Sequence, residues 1–186
     1  MITELPYSLT VNGKQYEIYC DFRDVINAIV SYSDPELGAR QRAYILFHNL
    51  YVNDDEIPDE DVPEALDKIR WFVDCGREYE ETQSSPRLMD WEQDYNIVVS
   101  AVNKIANVLD VRELPFLHWW TFNGYLQERG ECMFSSIVEI RDKLAKNKKL
   151  EDCEREFLNT NRNTVILQDK YSEEEQKQIN ELFGLE

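Results

Sequence analysis

The sequence predicts a mainly α-helical, single-domain bundle with a short N-terminal β-hairpin, and three observations predict it. Only six glycines and six prolines punctuate the 186 residues, too few for a sandwich of many tight turns. Apolar residues recur at spacings of three and four through most of the chain, as on a helix with one buried face. Asn12-Gly13 separates two runs of alternating polarity, and both positions of a two-residue hairpin turn need positive φ.

The hairpin is placed at residues 7–19 and must pack on the helices after it, because an isolated hairpin is marginal in water. Asp21 then caps a first helix with Phe22, Val25, Ile26, Ile29 and Val30 on one side. Asp34-Pro35 sets a capping acid before a proline suited to the first helical position. The second helix is therefore expected to begin there, with Leu37, Tyr44, Ile45 and Phe47 apolar and His48 beside them. Residues 53–61 read as an acidic loop; it lacks the central glycine and terminal glutamate of a calcium-binding loop. Pro63 starts a third helix through Leu66, Ile69, Trp71, Phe72 and Val73, and residues 80–87 read as a linker.

Asp90 opens the clearest helix, where Ile97, Val98, Ala101, Ile105 and Val108 form a broad apolar face. Another helix follows Pro115, and the next spans 133–145 through Ile137, Ile140 and Leu144. Glu139, Arg141, Asp142 and Lys143 read as its solvated side. A basic turn at Lys146, Lys148 and Lys149 precedes a short helix over 150–157 and a polar break over 159–163. Ser172 and Glu175 make a capping box before Ile179, Leu182 and Phe183. The domain thus runs over 1–171, and 172–186 is a terminal helix that either docks at home or binds a partner.

Composition narrows function. Thirty-seven acidic against 20 basic side chains give a net charge of −17, which repels nucleic-acid phosphates and anionic membranes. Neither a transmembrane run nor a leader is expected, so the reading is a cytoplasmic protein. Cys20, Cys75, Cys132 and Cys153 are scattered without metal or redox spacing and are expected to be free and mostly buried thiols. No nucleophile-elbow, P-loop, dinucleotide or zinc-protease motif is present, so no catalytic residue, metal or cofactor is assigned. His48 and His118 lack partner patterns and read as structural. Asp90 and Asp94 could together hold Mg²⁺, but acids there also suit the positive end of a helix dipole.

The densest feature is Leu117-His118-Trp119-Trp120-Thr121-Phe122, flanked by Phe116 and Tyr125. Neighbouring helical residues point about 100° apart, so Trp119 and Trp120 cannot share one narrow stripe. One fills a core while the other meets a second element or a partner, or both are core. Each indole N–H needs an acceptor. Trp119, Trp120 and Phe122, together with Ile179, Leu182 and Phe183, are the candidate partner-binding residues.

Several of these residues coincide with a known pattern. Asp21-Phe22-Arg23 after a hairpin, Trp71-Phe72, the acidic start at 90–94 and His118-Trp119-Trp120-Thr121-Phe122 occur in that order. Phe134, Ile137 and Arg141 come next, then the lysine cluster. On these motifs the chain, to about residue 163, resembles the "gene product fifteen" family of proteins from tailed phages and prophages of Gram-positive bacteria. It departs at Val102-Asn103, where the family carries an Ala-Phe pair. The resemblance implies a non-enzymatic tail assembly chaperone in the bacterial host cytoplasm. Its partners would be the tape measure protein, the tail tube protein or both, and a homo-oligomer is compatible with it. A structural subunit of the virion tail and an acidic DNA mimic that occupies a basic host protein are the alternative readings.

Overall fold

Strands β1 (Ser8–Val11) and β2 (Lys14–Glu17) pair antiparallel with Leu9 opposite Tyr16, closed by Asn12 and Gly13 at φ 46° and 78°. These positions belong to the computed structural model, which describes residues 4–34, 36–77 and 86–168. Leu9, Val11 and Tyr16 turn inward. Beyond the turn, Tyr19 N donates to Leu50 O and Val52 N to Glu17 O, so the end of the second helix supplies the support a lone hairpin lacks.

Helix α1 (Phe22–Tyr32) starts at Asp21, whose Oδ1 accepts from Arg23 N at 3.0 Å and whose Oδ2 accepts from Leu117 N at 3.0 Å. One carboxylate thus caps a helix and fixes the entry to the aromatic segment. Asp21→Ala is expected to lower stability by about 2 kcal/mol, because a cap and a second N–H both lose their acceptor. A urea midpoint equal to that of the wild type would count against this.

Helix α2 spans Ala39–Leu50, so its start lies later than the Asp34-Pro35 signal placed it, Pro35 itself being outside the described residues. Asp34 Oδ1 accepts instead from Glu36 N at 2.9 Å, a local turn that competes with helix initiation. Gly38 N donates to Gln41 Oε1 at 2.9 Å and marks the true start. The inward face is correspondingly Leu46, Phe47 and Leu50, while Tyr44 is exposed and Leu37 and Ile45 are half-buried. Helix α3 (Val62–Val73) carries Pro63 in its first turn and buries Ala65, Ile69 and Phe72. Tyr51 Oη donates to Ala65 O at 2.9 Å, joining α2 to α3.

Asp90 caps α4 (Trp91–Ala106) by accepting Gln93 N at 2.8 Å, and Asn107 ends it in the left-handed region at φ 54°. Then come α5 (Trp119–Gln127), α6 (Met133–Ala145), α7 (Asp152–Thr160) and α8 (Arg162–Val165). The polar break expected over 159–163 shrinks to Asn161. Its run of polar side chains simply lies on the outside of continuing helix. One apolar core runs from the hairpin through α1–α5 to Phe134, and Ile137, Ile140, Leu150 and Val165 close a smaller one.

Two charge assignments need correction. Arg141 does not lie on a solvated face, and Asp94 is not a free partner of Asp90. Both are buried, at 5% and 0% exposure, and they pair in fork geometry. Arg141 Nη1 meets Asp94 Oδ2 at 2.6 Å and Nη2 meets Oδ1 at 2.9 Å. The remaining donors go to Val165 O, Leu88 O and Thr164 O at 2.7, 3.0 and 2.9 Å, so all the guanidinium N–H groups are used. Helical spacing supplies the reason: Arg141 lies one turn after Ile137 and directly after Ile140, on the inward side. Lys146, by contrast, does sit outside, paired with Asp142, while Lys143 is half-buried between Glu139 and Glu154.

Gln93 completes the arrangement. Its Nε2 lies 3.3, 3.2 and 2.9 Å from the carbonyls of Asn163, Thr164 and Ile166, and its Oε1 accepts from Gln168 N at 3.0 Å. Residues 163–168 are therefore gripped through their backbone by two side chains. Most of the expected linker over 80–87, and the terminal helix over 172–186 with Ile179, Leu182 and Phe183, lie outside the described residues.

Candidate functional site

His118 opens α5 as its cap. Nδ1 accepts from Trp120 N at 3.0 Å, and Nε2 lies 3.0 Å from Pro6 O, which fixes the neutral tautomer with the proton on Nε2. Trp119 N donates to Cys20 O and Phe22 N to Leu117 O, so this start is tied to α1 as well. Tyr7, Phe72, Phe116 and Trp120 surround the imidazole with ring centroids 5.3 to 6.4 Å away.

Burial pushes the His118 imidazole below its ordinary value of 6.5, against the Pro6 carbonyl, which raises it. The unfolded chain then binds the proton more readily. Stability is fully present above about 6.5 and is lost as pH falls through the window below it. For Asp21, burial alone would raise the carboxyl, but Arg23 and the Arg23 and Leu117 N–H groups hold it below its ordinary 3.8. Its contribution is lost only at lower pH, so the two windows separate. The melting temperature of the wild type is expected to fall between pH 7.5 and 5.5, with a flatter profile for His118→Gln. Parallel profiles would disprove the assignment.

The two adjacent indoles divide as their angular separation requires. Trp119 is 2% exposed and Phe122 fully buried. Trp120 is half-buried against Trp71 at 5.3 Å and Phe72 at 6.3 Å. Both N–H groups find acceptors at the end of α3: Trp119 Nε1 donates to Val73 O and Trp120 Nε1 to Phe72 O, each at 2.8 Å. Carbonyls of a last helical turn have no partner within their own helix, and the Trp119 indole supplies one to Val73 O, whereas Phe72 O also accepts from Cys75 N at 3.0 Å. Phe122 stacks on Phe22 at 4.5 Å and 5°. Trp119 and Phe122 thus join α5 to α1, α3 and α4 and present little or no surface of their own. Trp120 alone of the three reaches solvent in part.

The rings that do stand in solvent are others. Tyr7 and Phe116, 55% and 45% exposed, stack with centroids 6.3 Å apart at the hairpin end of α5. Beside Tyr7 lies a concavity of about 510 Å³ lined also by Ser8, Gln15, Glu17 and Ile18. Sequence reasoning missed this pair by counting Phe116 with the aromatic cluster and Tyr7 only as the start of the hairpin. Pro115 was the available signal, since it leaves Phe116 ahead of the helix cap and outside the packed face.

Cys20 is buried, Cys75 and Cys132 are half-buried and Cys153 is exposed, all as free thiols, so burial is less complete than expected. Among the described residues no group of three or more side chains could hold a metal ion. Nor, among them, is any helix long and apolar enough to cross a membrane. Asp90 and Asp94 are spent on a helix cap and an ion pair respectively.

Comparison with curated proteins and with solved structures returns no match. The family described as "Bacteriophage Gp15 protein" matches residues 1–172, which takes in the hairpin, the Asp21 cap, the tryptophan pair and the Asp94–Arg141 junction. The chain is a phage protein and belongs to the bacteriophage Gp15 family.

Proposed function

We propose that this protein is a non-enzymatic tail assembly chaperone, working in the host cytoplasm, that binds the tape measure protein and keeps its amphipathic helices soluble before the tail tube forms. The observation that carries the reading is the Tyr7–Phe116 stack, two large rings standing in solvent on a phage protein of net charge −17. Exposed aromatics offer a contact for apolar helical stripes, while the surrounding charge keeps the free protein and its complexes apart. Phage Gp15 family membership supports the setting.

Co-expression with the tape measure protein of the same phage tests it. The expected result is a larger soluble fraction of that protein and its co-purification with this chain. No gain in solubility and no complex would refute the reading, as would recovery of this chain as a stoichiometric component of purified particles.

A further inference from the structure

The concavity beside Tyr7 has a mixed lining. The Tyr7 ring and buried Ile18 are its apolar part, Ser8, Gln15 and exposed Glu17 its polar part, and Phe116, outside the lining, stacks on Tyr7. Its volume of about 510 Å³ lies within the range of sites that enclose several side chains. The ring separation of 6.3 Å is close to the roughly 5–6 Å between side chains three or four apart on a helix.

The electrostatics are one-sided. Nearby cations are already spent. Lys14 pairs with Glu56, Arg23 with Asp21 and with the carbonyls of Arg112 and Pro115, and Arg112 with Asp110. Among the described residues no cation pairs with Glu17 on the lip or with Glu113, three positions before Phe116.

Resting on the chaperone reading, we infer that this surface takes an amphipathic helix whose apolar stripe is flanked by lysine or arginine. The stripe lies on Tyr7 and Phe116, and a flanking cation meets Glu17. A second copy of this chain is a poor occupant, because two bodies of net charge −17 repel one another. The arrangement selects partners by charge as well as by apolar contact.

The test uses two synthetic helical peptides with one leucine stripe, one flanked by lysines and one by glutamates, titrated by fluorescence anisotropy onto the full chain. The lysine peptide is expected to bind at least about tenfold more tightly at low salt, with the gap narrowing as salt rises. Tyr7→Ala and Phe116→Ala should each weaken it by about tenfold, and Glu17→Lys should abolish the preference. All three positions have exposed side chains, and near-UV circular dichroism checks that each variant is folded.

Equal binding of the two peptides overturns the inference. So does lysine-peptide binding that none of the variants changes, or a concentration-dependent dimer that Phe116→Ala disperses. Co-expression separates this from the chaperone reading. If the variants solubilise the tape measure protein as well as the wild type, this docking face is wrong and the chaperone role stands. If the wild type binds the lysine peptide through these residues yet leaves the tape measure protein insoluble, the face stands and that role falls.

Discussion

Alanine in place of Arg141 is expected to destabilise the fold by about 3–5 kcal/mol, as removing one partner of a buried ion pair generally does. For a domain of this size that corresponds to a fall in melting temperature of roughly 6–20 °C. The Asp94 carboxylate, with no accessible surface, would keep only the Asp90 N–H at 2.9 Å. The carbonyls of Leu88 and Val165 would lose this donor too, and Thr164 O would keep only Gln93 Nε2 at 3.2 Å. Arg141→Lys should recover little, because an ammonium cannot reproduce the planar fork. A double change of Asp94 and Arg141 to leucine should remain destabilised as well. Where two buried charges serve only each other, such a swap is often neutral; here the carbonyls of Leu88 and Val165 would still lose their donor. Thermal and urea unfolding monitored by circular dichroism measure all three variants. A loss below about 1 kcal/mol for Arg141→Ala would mean that water or a rearranged chain replaces the guanidinium.

Trp119→Ala is the second large effect, about 3–5 kcal/mol from lost packing in the centre of the core. The indole stacks 6.1 Å from Phe122, lies 5.9 Å from Trp91 and donates to Val73 O. Trp119→Phe keeps most of the ring contact and removes the donor, which isolates a hydrogen-bond loss of about 1–3 kcal/mol. Trp120→Ala should lose less, on the order of 2 kcal/mol, because that ring is only half-buried. Equal losses at the two tryptophans would contradict the division of labour in the structure. Since Trp119 is internal, its variants should impair partner binding only in proportion to unfolding, whereas Phe116→Ala should impair it in a folded protein.

What the sequence made legible is what short-range chemistry decides. Asn12-Gly13 needed only its own φ preferences to specify the turn, and Asp21 and Asp90 needed only nearby N–H groups to start α1 and α4. The start of α2 misled because the carboxylate of Asp34 satisfies either a helix or a tighter turn, and the turn won. Arg141 was misread for a different reason. Its charged neighbours in the chain face water, and its partner lies 47 positions away on another helix. The tryptophan pair stood between. Its need for two acceptors was visible in the sequence, but their identity as Val73 O and Phe72 O depends on how α3 ends beside α5. Nothing local marked Tyr7 and Phe116 as neighbours, because the hairpin and α5 meet only through tertiary packing.

The hold on residues 163–168 has an evolutionary corollary. Gln93 and Arg141 touch only peptide groups there, so most side chains along that stretch are interchangeable as far as the grip is concerned. Val165, which plugs the smaller core, is the exception. Mutational drift should therefore accumulate freely at 163, 164 and 166, while Gln93 tolerates almost no replacement, since no other residue offers an amide of that reach.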